Sequence, residues 1–245
     1  MTTCPHTLIE PALDRWAEAH WHLHQMEGNY HTPEPFRYAL NSFIRVIKEV
    51  PDSLAKCVQN NPSMVTWQKG RLPQLRATEL FSLLSQKRDF IVHHGAMKVL
   101  SQGRAGTVEG RKVKISFPFA VHPEESSDDA YTRYKQVCRT DKMIRSLIGP
   151  DCDSSPAIWR TWMIQELPGR DLLDVAFDAW KLVGEVLSEA VIEMGGEPLD
   201  LTMPCRHDTE LVQVRRFSQA EFFLEVDGID LEEEERNWRA ERAGE

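Results

Sequence analysis

The sequence lacks any long apolar run: no stretch approaches the ~18 uncharged apolar residues that a membrane-spanning helix requires. Residues 1–11 also lack the basic start and the following apolar block that mark an export signal. These two absences predict a soluble, cytoplasmic protein with no membrane partner. The chain has 245 residues, of which 41% are hydrophobic, so it has enough apolar material for a buried core.

Cysteine is also scarce. The five cysteines are scattered and odd in number, and none belongs to a Cys-x-x-Cys pair. This pattern argues against a disulfide framework and against a zinc knuckle. It favours a reducing compartment.

Positive charge is in deficit overall, because 29 Lys and Arg face 38 Asp and Glu, which gives a net charge of −9. The deficit is confined to the rear of the chain. Residues 1–114 carry 15 Lys and Arg against 10 Asp and Glu, a balance of +5, whereas residues 115–245 carry 14 against 28, a balance of −14. The basic front and the acidic rear predict two parts with different functions, of which the front has the charge needed to bind a nucleic acid.

The basic front is patterned for helices. Apolar residues recur there every three to four positions, and Gly, Asn and Pro separate the segments. The predicted helices span residues 10–27, 32–58 and 75–92. Pro51 is expected to kink or split the second helix, because its ring removes a hydrogen bond and displaces the preceding turn. Gly95 permits a turn after the third helix.

The acidic rear has a different pattern. After Gly103, apolar residues alternate with Lys112, Lys114 and Ser116, which indicates a half-buried strand and, with the nearby glycines, a hairpin. Further helices are predicted over 130–147, 171–194 and 231–242, and further strands over 157–165 and 211–217. The predicted fold is therefore α+β, mainly α: a helical domain over residues 1–103 and a mixed α+β extension over residues 104–245, which could also pack as one unit.

The segment from Arg88 to His94, with the sequence RDFIVHH, carries the chemistry that the front could perform. Cleavage of RNA by transesterification requires a base to take the proton of the ribose 2′-OH and a cation to stabilise charge on the phosphoryl oxygens. Histidine titrates near neutrality, and arginine binds phosphate through two parallel hydrogen bonds. The segment therefore contains both groups that metal-independent RNA cleavage needs.

The spacing within this segment raises a geometric question. On one continuous helix, Arg88 and His93 are five residues apart and point about 140° from each other, whereas Asp89 and His93 share a face. Either the helix breaks near Val92, or a second copy of the motif across a dimer interface completes the pocket.

The segment resembles the R-x4–6-H signature of HEPN domains, which are small helical bundles. Earlier segments support the resemblance because they look like the first two helices of bacterial HEPN proteins: Glu18-Ala19-His20, Asn29-Tyr30-His31-Thr32-Pro33, Phe36-Arg37 and Leu40-Asn41-Ser42-Phe43. The resemblance covers about residues 10 to 100. Many HEPN proteins are metal-independent endoribonucleases that act as homodimers in toxin–antitoxin, antiviral or RNA-processing systems, and others are inactive.

By this resemblance, Arg88 and His93 would be the catalytic pair, and Asp89 would be the polar residue that orients them. His94 also satisfies the looser spacing, so the choice between His93 and His94 stays open. Some toxin members carry a Tyr two positions after the His, where this chain has Gly95, and regulation by modification of that Tyr is not expected. The implied partners are RNA, a second copy of the chain and a protein such as an antitoxin.

Basic residues around the motif are candidates for binding the RNA backbone, chiefly Lys87, Arg76 and Lys98. Two alternatives remain. An Arg-Asp pair followed by histidines also occurs as an ordinary solvated helix end, where the charges pair locally. The protein could equally be a non-catalytic HEPN-like module that binds a protein partner through its acidic C-terminal half.

Histidines are concentrated in the first helix, where His20 and His24 lie one turn apart, as two metal ligands would. His22, His31 and Glu27 are near them in sequence. The HExxH motif is absent and no cysteine lies close by, so a histidine-rich surface is the simpler interpretation. We therefore expect no metal and no cofactor.

Overall fold

The computed structural model describes residues 4–95, 97–110, 112–146, 148, 154–201 and 207–243. The helices found in these residues are α1 (Pro5–Leu8), α2 (Glu10–Gly28), α3 (Pro33–Val58), α4 (Pro62–Ala77), α5 (Glu79–His94), α6 (Ser127–Thr140), α7 (Lys142–Ser146), α8 (Leu172–Glu193), α9 (Thr209–Val212), α10 (Gln219–Asp227) and α11 (Leu231–Ala243). The strands are β1 (Leu100–Glu109), β2 (Lys112–Pro118), β3 (Ser154–Met163) and β4 (Val214–Arg216). This content confirms an α+β, mainly α fold. Among the described residues, no helix combines the length and the apolar content needed to cross a membrane.

The chain forms two compact units that are not consecutive halves. The first unit consists of residues 1–99 and 163–209, and the second of residues 100–162 and 210–245. The sequence predicted a boundary at residue 103, with residues 104–245 as one extension or packed as one unit with the front. The difference is due to α8, which packs against α2 and α3. It buries thirteen of its 22 residues, so it needs neighbours on most of its surface and joins the helical core of the first unit.

The first unit is built on the pair formed by α2 and α3. A four-residue connection joins these long helices, and they pack along each other as a helical hairpin. Thr32 precedes α3 but makes no side-chain capping bond, and Pro33 occupies the first turn. Helix α3 is not split at Pro51, which lies buried on the same inward face as Val50 and Leu54.

Two helices of the first unit differ from the sequence prediction. Helix α4 was not predicted, and it begins after Asn61, whose side chain accepts a hydrogen bond from the backbone N–H of Ser63. The predicted helix over 75–92 is divided at Thr78, whose extended backbone separates α4 from α5. Helix α8 matches its prediction closely. Asp171 caps it by accepting from the N–H of Leu173.

The second unit contains a four-stranded sheet in the order β2-β1-β3-β4. Strands β1 and β2 form the predicted antiparallel hairpin, with Gly110 at φ 55° in its turn. A Cβ at Gly106 would lie 2.0 Å from the carbonyl oxygen of Ile115, so the close approach of these strands requires glycine there. Helix α6 covers the sheet, and the ring of its Tyr131 stacks on Phe217 at 3.7 Å between centroids.

Candidate functional site

Helix α5 carries the predicted catalytic residues close to its C-terminal end. The helix is continuous through His94 and ends at Gly95, whose φ is 98°. Of the two alternatives that the sequence leaves open, the helix break near Val92 is therefore not found. Arg88 and His93 remain five residues apart on one helix, with their side chains about 140° apart around its axis.

The charged residues of the motif face solvent. The side chains of Arg88 and Asp89 are 41% and 64% exposed, and Nη1 of Arg88 lies 3.1 Å from Oδ1 of Asp89. His93 is also exposed. The backbone of His94 belongs to the helix, but its side chain is outside the part of the chain that the structure describes. The fold thus brings Arg88 and Asp89 together, and it leaves Arg88 and His93 on different faces.

Two large apolar residues within the motif are also exposed. Phe90 is 40% exposed and Val92 is 50% exposed. Scattered apolar residues on a surface are ordinary, but these two lie within five residues of both predicted catalytic side chains. The solvent-facing end of α5 therefore combines apolar area with a guanidinium, a carboxylate and an imidazole.

The three predicted RNA-binding cations have different surroundings. Nζ of Lys87 lies 2.6 Å from Oε1 of Glu166, and its side chain is only 17% exposed. Nη2 of Arg76 lies 2.7 Å from Oδ1 of Asp52 on the surface. Lys98 is exposed. Because exposed ion pairs contribute little free energy, Arg76 can exchange its carboxylate for a phosphate, whereas the more enclosed Lys87 is held in place.

Lys48 also belongs to this region, although its sequence position did not indicate it. It projects from α3 towards α5, where its Nζ lies 3.8 Å from the centroid of the Phe81 ring and donates to Oγ of Ser85. Burial lowers the pKa of Lys48 to about 8, and the nearby charges that act on it include Arg88 and Asp89. Lys48 precedes the motif by 40 residues, so nothing in the sequence around it indicates that it contacts α5.

A second group of polar residues lies in the first unit, at the C-terminal half of α2. The side chains of His20, His24 and His207 converge so that one nitrogen of each lies within 4.8 Å of the others. Glu27 bonds two of them: its Oε2 lies 2.8 Å from Nδ1 of His24, and its Oε1 lies 2.5 Å from Nδ1 of His207.

The membership of this group differs from the sequence neighbourhood of His20. His22 packs its ring against Trp21, and His31 packs against Tyr30, so neither belongs to the converging set. The third histidine, His207, is 187 residues from His20. No spacing rule within α2 could have identified it.

Comparison with protein-family models gives a match over most of the chain. The model of the family described as bacteriophage lambda protein ea47 matches residues 2–216, which span both predicted catalytic residues and all three converging histidines. No curated protein and no solved structure gave a significant match. Because the family model covers most of the chain, the protein belongs to the bacteriophage lambda Ea47 family.

Proposed function

We propose that the protein is a metal-independent endoribonuclease of HEPN type that acts as a homodimer. The observation that carries the proposal is that the solvent-facing end of α5 presents Arg88, Asp89 and His93 around one short segment that also exposes apolar side chains. These residue types are the ones that transesterification of RNA requires.

The angular separation on α5 favours a composite site. A phosphate bound by Arg88 on one face of a continuous helix is turned away from His93 on the same helix. In a two-fold dimer with the α5 ends facing each other, Arg88 of one protomer meets His93 of the other, and the symmetry creates two equivalent pairs. Phe90 and Val92 supply apolar area that such a contact would bury.

The residues then have separate roles in the reaction. His93, or a second copy of it, removes the proton from the 2′-OH, and the 2′ oxygen attacks phosphorus. The bond to the 5′ oxygen breaks, and the imidazolium formed by the first proton transfer, or a water molecule, gives that oxygen a proton, which leaves a 2′,3′-cyclic phosphate. Arg88 stabilises the charge on the phosphoryl oxygens, and Asp89 holds the guanidinium through its ion pair.

The positive charges around the motif support RNA binding next to it. Lys48 packs against α5, and both Arg88 and Arg76 are close enough to act on its charge. Lys98 is exposed shortly after the end of α5. These cations attract a phosphate backbone without selecting a base sequence, so we expect affinity for RNA to fall steeply with salt.

The direct test is cleavage of single-stranded RNA by the full-length protein in EDTA, with circular dichroism to verify that the fold survives. We expect Arg88→Ala and His93→Ala each to slow cleavage by about 100-fold or more. Arg45→Ala on α3 is the matched control, because Arg45 is also exposed but lies outside the motif. Cleavage that is unchanged in both motif variants would refute the proposal.

A second experiment addresses the biological setting. If the protein is a toxin or an antiviral effector, induced expression in a bacterial host should slow growth and deplete intact RNA. The Arg88→Ala and His93→Ala variants should do neither. Equal growth arrest by wild type and by both variants would point instead to the non-catalytic interaction module.

A further inference from the structure

We propose that His20, His24 and His207 bind one divalent transition-metal ion, for which Zn²⁺ is the probe. This site is separate from the motif on α5 and does not depend on the proposed nuclease activity. The proposal also reverses the expectation from sequence that the protein holds no metal.

The nitrogen atoms of the histidines are spaced as the ligands of one metal ion would be. Nε2 of His20 lies 3.3 Å from Nε2 of His207. When Zn²⁺ is bound by imidazoles at about 2.0–2.1 Å in tetrahedral geometry, two ligand nitrogens are about 3.3–3.4 Å apart. His20 and His24 are four residues apart on α2, so they share one helix face, and His207 approaches from outside the helix.

The protons of the His24 and His207 rings are also positioned as metal binding requires. A neutral imidazole carries one N–H, and an ionised carboxylate can only accept. The Glu27 carboxylate accepts a hydrogen bond from Nδ1 of His24 and from Nδ1 of His207. The proton of each neutral ring therefore lies on Nδ1. Both Nε2 atoms are then left with lone pairs, which is the form in which histidine binds a metal.

Glu27 also fixes the orientation of these rings. A carboxylate that accepts the distal N–H of a metal-bound histidine sets the direction of the ring and raises its basicity. The Glu27 side chain is 17% exposed and that of His207 is 4% exposed, so solvent competes weakly for this contact. One carboxylate positions two of the three proposed ligands.

The three histidines pack against aromatic rings on one side and reach solvent on another. The His20 ring lies 4.9 Å from the ring of Trp180, and the His207 ring lies 4.9 Å from that of Phe177. The His24 side chain is 40% exposed, which provides a path for an ion. Three imidazoles suit Zn²⁺, Co²⁺, Ni²⁺ or Cu²⁺ better than Mg²⁺ or Ca²⁺, which prefer oxygen ligands.

The test is Zn²⁺ binding by full-length protein that has first been treated with EDTA and then freed of it. We expect calorimetry or equilibrium dialysis to detect one bound Zn²⁺ that depends on the three histidines. Co²⁺ should give the visible absorption of a four-coordinate site. Zn²⁺ should raise the thermal unfolding midpoint of the wild type, because an ion that binds only the folded state stabilises it.

Single substitutions distinguish the proposed metal ligands from residues that only lie near them. His24→Gln and His207→Gln should abolish this binding and the Zn²⁺-dependent rise of the midpoint, and Glu27→Gln should weaken binding by about 10- to 100-fold. His22→Gln is the matched control, since His22 lies on the same helix outside the converging set. Circular dichroism without metal verifies that each variant folds.

The contrary result is equally specific. If His24→Gln and His207→Gln bind Zn²⁺ as tightly as His22→Gln, or if the wild type binds none, the three histidines form only a hydrogen-bonded network with Glu27. Neither result bears on the nuclease, because Arg88-dependent cleavage is measured in EDTA. Loss of cleavage by Arg88→Ala likewise says nothing about Zn²⁺.

Discussion

Trp16 and Trp180 bond each other reciprocally: the indole N–H of each donates to the backbone carbonyl of the other, at 2.9 and 3.1 Å. Their rings are stacked, with centroids 4.3 Å apart and an interplanar angle of 6°. The two residues are 164 positions apart and belong to α2 and α8. The contact gives each buried indole N–H an acceptor, so it fixes how α8 lies against α2.

Removing one indole N–H from this pair should destabilise the first unit. Trp180→Phe keeps an aromatic ring but removes the indole N–H that bonds the carbonyl of Trp16 and leaves part of the buried ring volume empty, and we expect a loss of about 1–3 kcal/mol. Trp180→Ala should cost more, about 3–5 kcal/mol, because it leaves a larger cavity. Urea unfolding measures the loss of stability in both variants.

Trp21→Phe serves as the control, since Trp21 is 56% exposed. An equal cost for Trp180→Phe and Trp21→Phe would contradict the proposed role of the pair.

Gly184 should be intolerant of alanine although it lies inside a helix. A Cβ there would lie 2.6 Å from Cζ2 of Trp16, so the stacked ring would have to move. We expect Gly184→Ala to destabilise the protein by about 1–3 kcal/mol.

Gly70→Ala on α4 is the opposite case. Nothing lies within 4 Å of the added Cβ at Gly70, so the helix preference for alanine should raise stability by about 0.5–1 kcal/mol. Thermal unfolding of the two variants should shift in opposite directions. A stabilising Gly184→Ala would mean that the contact with Trp16 is not restrictive.

The elements that were predictable from sequence are those with a local apolar period. Helices α2, α3 and α8 and the β1–β2 hairpin follow from spacing and turn residues alone. Helix α4 escaped prediction because Gly70 and Pro73 interrupt a segment whose buried residues are few. Short α10 was missed too. The spacing of apolar residues along the sequence therefore predicts those helices and strands that have one consistently apolar face.

Long-range relationships were not predictable. Nothing near Trp16 indicates that its partner is Trp180, and nothing near His20 indicates His207. The same holds for Lys48, which approaches α5 only because α3 and α5 pack together. The residues of the motif could be named from sequence, but the continuity of α5, which separates Arg88 from His93, needed coordinates.

The stability of the protein should depend on pH through Lys48. Its pKa is lowered by burial from 10.5 to about 8, and it faces Asp52 on its own helix, Arg76 on α4, and Arg88 and Asp89 on α5. Between pH 8 and 10.5 the folded state has lost this proton and the unfolded state keeps it, so raising the pH favours folding over that range. Below pH 8 both states are protonated, and Lys48 contributes no pH dependence.

The measurement is the difference in unfolding free energy between wild type and Lys48→Met from pH 7 to 10. We expect the wild type to gain stability relative to this variant as the pH rises above 8. Lys56→Met, a change at an exposed position of the same helix, should follow the wild type. A constant difference between wild type and Lys48→Met across this range would show that Lys48 titrates as an ordinary solvated lysine.

The composite site on α5 makes a prediction about mixed dimers. If Arg88 of one protomer acts with His93 of the other, a heterodimer of Arg88→Ala and His93→Ala protomers contains one intact pair out of two, and should recover about half of wild-type cleavage. Each parent homodimer should be inactive. Differently tagged chains, co-expressed and purified in two affinity steps, provide the heterodimer for an RNA cleavage assay in EDTA.

A second heterodimer provides the control because it reverses the expected result. When a wild-type protomer is paired with one that carries both Arg88→Ala and His93→Ala, every composite pair lacks one member, and cleavage should be lost. If Arg88 and His93 worked within one chain instead, this heterodimer would keep about half of the activity and the first would have none. That inverted pattern would exclude the facing-helix arrangement while leaving the motif itself catalytic, because the continuous α5 would then have to unwind near Val92 to bring the two side chains together.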